Sequence, residues 1–171
     1  MRNFGFRWTQ ASAAAVCGAL LLADLAFASS PGLLVSGMTF VGSRGNESEL
    51  IVRASEALFH PDLGMADLEN VRAAVSDAED GESFTMKCDR AELNVDTSDF
   101  TARGNVEGVT GDGRQYNTPW VRYDHENSLL STEAPVVMID DSGTYRGEGF
   151  RYYIEERRFE LLGNVTVDQS P

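Results

Sequence analysis

From about residue 33 onward, apolar and polar residues alternate with a period of two, interrupted by Gly, Asn and Asp, and almost no helical period is present. Phe159, Leu161, Gly163, Val165 and Val167 fall on one strand face, with the mostly polar Glu160, Asn164, Thr166 and Asp168 on the other. Phe100, Ala102, Gly104 and Val106 repeat this against Thr101, Arg103 and Asn105. A third copy aligns Leu130, Thr132, Ala134, Val136 and Met138, and its less polar opposite face implies partial cover there. Matched phase predicts that Phe100, Val106, Leu130, Val136, Met138, Phe159 and Val165 point into one interior.

The copies are in register. Gly104-Asn105-Val106 recurs as Gly163-Asn164-Val165, with Ala134-Pro135-Val136 between them. Upstream of each lies another alternating strand, at 91–95, 121–123 and 150–154. Polar turns join the strands: Asp96-Thr97-Ser98-Asp99, His125-Glu126-Asn127-Ser128 and Glu155-Glu156-Arg157-Arg158. A weaker first copy ends at Asn70-Val71. A period of about 30 residues implies stacked strand-turn-strand units that bury a shared apolar face. Gly111-Asp112-Gly113 and Asp140-Asp141-Ser142-Gly143 have hairpin chemistry. Gly147 and Gly149 mark an interruption within a strand. Residues 65–74 read as strand, although Leu68 and Val71 also suit a helix.

The N-terminus differs. Arg2 and Arg7 precede an apolar run over 11–28, broken by Asp24. As a helix this run is about 27 Å long, just short of a hydrocarbon core of roughly 30 Å. Ala26-Phe27-Ala28 before Ser29-Ser30 has the form of a signal cleavage site. Either reading exports the rest of the chain, since the cationic flank stays inside. The expected division is therefore 1–30, membrane anchor or signal segment, and 31–171, one β-domain. Cleavage after Ala28 would leave that domain free in the periplasm.

Charge removes several functions. The formal net charge is −13, which makes the chain a poor partner for nucleic acid and for anionic headgroups. Bound lipid is expected to be held by its acyl chains. Cys17 and Cys88 should lie in different compartments and form no disulfide; with His60 and His125 they make no metal site. Asp77, Glu79, Asp80 and Glu82 lack the spacing of a calcium loop. The adjacent acids Asp140-Asp141 and Glu155-Glu156 do not form the converging pair of a glycosidase. No catalytic set, cofactor site or metal site is expected. Trp120 and Tyr123 are expected to pack internally, and His60 and His125 to sit exposed beside turns. An envelope carbohydrate-binding or carbohydrate-active protein is the alternative class, and it needs a row of exposed aromatics.

The segments "LIVRASEALF…LENVRAAV", "FTMKCDRAELN…FTARGNVEG", "YNTPWVRYDHENSLLSTEAPVVM" and "YRGEGFRYYIEERRFELLGNVTV" resemble the LptC family and its wider OstA-like group. The resemblance spans 34–167. It implies a twisted β-jelly-roll of stacked antiparallel strands with an apolar groove, preceded by a retained N-terminal membrane helix at the inner membrane. It further implies transfer of lipopolysaccharide from an inner-membrane ABC transporter, through the groove, to a periplasmic LptA-like bridge protein. The groove residues expected are Phe100, Ala102, Val106, Leu130, Val136, Met138, Phe159, Leu161 and Val165. Only four residues follow the strand expected over 159–167, so its edge should be open. Docking of the bridge protein is expected there, at Glu160, Leu162, Asn164 and Thr166, with the transporter meeting the edge near 34–41.

Overall fold

The computed structural model describes residues 32–44, 48–77 and 81–169. Twelve strands form one antiparallel sheet: β1 Leu33–Arg44, β2 Ser48–His60, β3 Met65–Asp77, β4 Gly81–Asn94, β5 Phe100–Thr110, β6 Gln115–Asp124, β7 Leu129–Thr132, β8 Val136–Asp140, β9 Gly143–Gly147, β10 Gly149–Tyr153, β11 Arg158–Leu162 and β12 Thr166–Gln169. β1 to β6 pair in chain order. One half of β6 then pairs with β7, followed by β10 and β11; its other half pairs with β8, followed by β9 and β12. The last six strands are thus three chain passages, each broken once, and the whole is an up-and-down meander. β1 stands at one end; β11 and β12 together form the other.

The breaks line up across the sheet. In β1, Gly37 separates the inward residues Val35 and Met38 and lies opposite the skip between Ala54 and Ala57 in β2. Asn70 takes a positive φ of 51° between Leu68 and Val71 in β3. Further breaks follow at Asp89 of β4, Gly104-Asn105 of β5, 119–120 of β6, 133–135, 148 and 163–165. Three Asn side chains tie this belt together. Asn70 Nδ2 donates to Ser55 Oγ at 2.9 Å, Asn105 Nδ2 to Asp89 Oδ2 at 2.8 Å and Asn164 Nδ2 to Glu148 Oε1 at 2.8 Å. Gly104 and Gly163 hold φ of 76° and 77°, conformations that L side chains adopt at a cost. A Cβ on Gly104 would lie 2.6 Å from Asp89 Oδ2, and one on Gly163 2.5 Å from Glu148 Cβ. The Gly-Asn-Val repeat therefore encodes the belt: Gly makes the turn, Asn bonds the preceding strand, and in the first copy Val106 returns to the interior, fully buried.

One rim of the sheet is laced by its turns. Ser98, Ser128 and Arg157 occupy equivalent turn positions, all with positive φ, and Phe100, Leu130 and Phe159 each follow two residues later. Val95 N donates to Gly64 O at 2.9 Å, His125 N to Asp99 Oδ1 at 2.9 Å, and Ile154 N to Ser128 O at 3.0 Å, so each turn bonds the next.

The core is a single cluster between the two halves of the folded sheet. Phe84 and Tyr116 lie on one side of the belt, Phe150, Tyr152 and Phe159 on the other, and they meet. Ring centroids are 5.0 Å apart for Tyr116–Phe150, 6.4 Å for Phe84–Tyr152 and 4.9 Å for Phe150–Phe159. None of these pairs but the last lies on neighbouring strands, so the sheet closes on itself about the belt. Tyr116–Phe150 and Phe84–Tyr152 are tilted and Phe150–Phe159 is stacked, and burial of such large rings contributes strongly to holding the two halves together.

Several expectations are corrected. Residues 159–167 are not one strand: Gly163 turns the chain, and β12 pairs with β9 instead of continuing along β10. The passage from Leu130 to Met138 is broken over 133–135, although Leu130, Val136 and Met138 keep their inward phase. Val165 falls in the break and is 43% exposed, outside the interior. His125 is buried, held through its backbone by Asp99 and with Nδ1 3.2 Å from Tyr123 Oη. Tyr123 is buried as expected, and Trp120 is half-buried. Residues 65–74 are strand throughout. The anchor or signal segment with Cys17, and the acidic side chains over 77–82, lie outside what is described. No helix among the described residues is long and apolar enough to cross a membrane.

Candidate functional site

The nine residues expected to line a groove do not share one environment. Phe100, Ala102, Val106, Leu130, Val136 and Met138 are buried, none more than 6% exposed, and are packed against other protein side chains. Phe159 and Leu161 are half-buried on β11 and pack against the core from its open end. Val165 points elsewhere. The interior is therefore filled over its middle and accessible toward its ends.

Half-buried apolar side chains mark those ends. Val35, Met38, Phe40 and Phe59 on β1 and β2 lie at one; Tyr145, Phe159 and Leu161 lie at the other. Phe159 touches three aromatic rings at once, Tyr116, Phe150 and Tyr152. Sequence patterning missed the β1 group because Gly37 shifts the phase within the strand, so no single face reads as apolar. It missed Tyr116 for a related reason: Thr118 and Val121 are both inward, and the skip between them hides the period.

Tyr116 is the polar exception in the interior. Its hydroxyl is fully buried and has no hydrogen-bond partner among the described residues. Burial pushes its pKa well above the ordinary tyrosine value, and the neighbouring Tyr152 adds to the shift. The ring lies over Gly108, its direct cross-strand partner, where any Cβ would collide with it. Cys88 is a buried free thiol whose Sγ donates to Arg90 O at 3.2 Å; burial raises its pKa to about 11. Neither group is placed for chemistry. Among the described residues, no three His, Cys, Asp or Glu side chains gather as a metal site.

Among the described residues both ends of the strand order are open: β1 pairs only with β2, β11 only with β10 and β12 only with β9. Of the expected docking residues, Glu160 and Leu162 lie on β11. Asn164 sits in the break, bonded to Glu148, and Thr166 pairs with Arg146 of β9. Charged pairs decorate the end: Arg158 contacts Glu156 and Glu160 and lies 4.0 Å over the Tyr153 ring, and Arg146 pairs with Asp168. Leu33 and Leu34 on β1 are 57% and 68% exposed. Unpaired strand edges recruit further strands unless they are blunted, and among the described residues neither end is capped by a helix or carries a Pro within its strands.

Such a folded, open-ended meander is shared with a solved periplasmic protein. The solved structure of LptH from Pseudomonas aeruginosa, described as the LptA homologous periplasmic component of the lipopolysaccharide transport device, superposes with a TM-score of 0.57. It shares 13% sequence identity, over 71% of this chain and 95% of that one, and so establishes the fold. Residues 104–168 match the family described as lipopolysaccharide-assembly, LptC-related, to which the Gly-Asn-Val motifs pointed. No curated protein matches the sequence. The two comparisons together give an LptA-like fold for the described residues and an LptC-related match over 104–168.

Proposed function

We propose that this chain is the membrane-proximal relay of lipopolysaccharide export. It accepts lipopolysaccharide from an inner-membrane ABC transporter and passes it to an LptA-like periplasmic bridge protein. The observation that carries this reading is the pairing of an apolar interior with open strand edges at both of its ends. Acyl chains enter and leave where the interior is incompletely packed, at Phe40 and Met38 on one side and Phe159 and Leu161 on the other. Each methylene kept from water there is worth about 0.8 kcal/mol. The middle residues, from Phe100 to Met138, contact lipid only when the two halves part about the belt. A neighbour's strand added to β11 and β12 would continue both halves of the sheet, and so continue the interior.

Residues 1–30 act as the membrane anchor in this reading, and 31–171 as the periplasmic domain. Likeness to an LptA-homologous periplasmic component supports a second version, in which cleavage after Ala28 frees the domain as a bridge-like protein. Intact mass of the membrane-extracted protein separates the two. The test of the shared claim is photo-crosslinking in cells producing lipopolysaccharide. A photoreactive residue at Phe159 or Phe40 is expected to capture lipopolysaccharide, and one at outward Arg103 is not. Equal capture at all three positions removes the interior route.

A further inference from the structure

Outward side chains on the half of the sheet that carries Tyr116 form two adjacent rows. In the first, Arg53 stands directly opposite Arg72, and Arg72 directly opposite Lys87. In the second, Thr85 stands opposite Val109, Val109 opposite Gln115 and Gln115 opposite Ile139. Like charges placed opposite each other on neighbouring strands repel. Three in succession are the more unusual in a chain whose net charge is −13. Lys87 is neutralised by Glu107 at 2.9 Å. Arg53 and Arg72 make no ion pair or side-chain hydrogen bond among the described residues.

A depression of about 700 Å³ runs along both rows, with Arg53 and Arg72 toward its β2–β3 end, the Lys87–Glu107 pair between, and Val109, Val137 and Ile139 toward its β5–β8 end. Val109 and Ile139 are 41% and 47% exposed, so this apolar strip faces solvent. The geometry points to a binding site for an amphipathic anion, a phosphorylated lipid. Its headgroup would rest on Arg53 and Arg72, and one acyl stem would lie along Val109, Val137 and Ile139. The anion relieves the repulsion between the two guanidiniums, and the stem covers the exposed strip. A guanidinium pair suits phosphate better than ammonium groups do, because each fork donates two parallel bonds. This face is the reverse of the interior, so the site stands whether or not the interior carries lipid.

The experiment uses the full chain in a lipid-free detergent and a lysophosphatidate whose acyl chain carries a diazirine. Labelling is expected on peptides containing Val109 or Ile139. The R53Q/R72Q variant is expected to weaken binding about tenfold, with an unchanged or raised melting temperature because only like charges are removed. The I139T variant is expected to lose labelling several-fold while both arginines remain. A monoacylglycerol of the same chain should bind weakly, and inorganic phosphate should not displace the probe. The proposal is overturned by labelling confined to interior residues. Equal binding of the uncharged lipid leaves only an apolar patch, and displacement by phosphate leaves only a site for free anions; either sinks it. If R53Q/R72Q loses stability, normal labelling of I139T decides against the site.

Discussion

Asn105 Nδ2 donates to Asp89 Oδ2 at 2.8 Å, and Asn164 makes the same bond to Glu148, with the acceptor sixteen residues back in both cases. The two bonds sit at equivalent breaks and hold one strand to its predecessor where the ladder of backbone hydrogen bonds is interrupted. They turn what would be a flaw in the sheet into its fold line.

Gly104→Ala should therefore lower stability by about 1–3 kcal/mol, from a positive φ together with the approach to Asp89. Gly113→Ala is the comparison: φ there is 87°, but nothing lies within 4 Å of a Cβ, so only the backbone contribution remains, about 1 kcal/mol. Urea unfolding of both variants measures the difference. Equal losses would mean that the close packing of the belt contributes nothing.

Tyr116→Phe should raise stability by about 1 kcal/mol, because it removes a buried hydroxyl that has no partner while keeping the stacked ring. Gly108→Ala should lower it by more than that, since the ring has no room for a methyl group beneath it. A lower urea midpoint in Tyr116→Phe would mean that the hydroxyl is satisfied in solution.

Alkaline unfolding has a part that belongs to Cys88. Burial raises the thiol from 9.0 to about 11, so the folded state keeps a proton that the unfolded chain releases. The stabilisation is fully present below pH 9 and is lost as pH rises from 9 through 11, by at most about 2 kcal/mol. Cys88→Ala should have a shallower decline over that window than the parent; parallel declines would refute the assignment. Native protein treated with iodoacetamide at pH 8 should leave the Cys88 peptide unmodified by mass spectrometry.

Strand addition at β11 is tested with Glu160→Pro and Leu161→Pro. Neighbouring strand residues direct their N–H groups to opposite sides, so one variant strips a donor from the open edge and the other breaks the pairing with β10. The first should keep its circular dichroism and lose affinity for an LptA-like bridge protein. If both variants fold and bind normally, β11 is not the docking edge.

The period-two alternation was enough to read an all-β chain, the 30-residue unit and its turns, because the units repeat the same inward residue two places after each left-handed turn. Phe100, Leu130 and Phe159 were legible for that reason. The belt was not. Breaks change the phase within a strand, as at Gly37 and between Thr118 and Val121, so a face followed through them is assigned wrongly. Val165 shows the cost: it continues the alternation of Phe159 and Leu161 in sequence, yet Gly163 has already turned the chain outward. His125 was misjudged because a turn beside other turns is not a surface, and the next turn in the stack covers it. The row of Arg53, Arg72 and Lys87 was invisible since it depends on the register of three strands, and register is a property of pairing.

The laced rim and the belt have a further meaning for size. Each chain passage widens a sheet by about 4.8 Å, and each repeat contributes two passages with its own turn and its own fold line. A copy gained or lost would change the distance between the terminal strands by roughly 10 Å and leave both terminal strands as they were. The molecule is in this sense a ruler, graduated in whole units, whose reach can be reset by duplication without redesigning either of its ends.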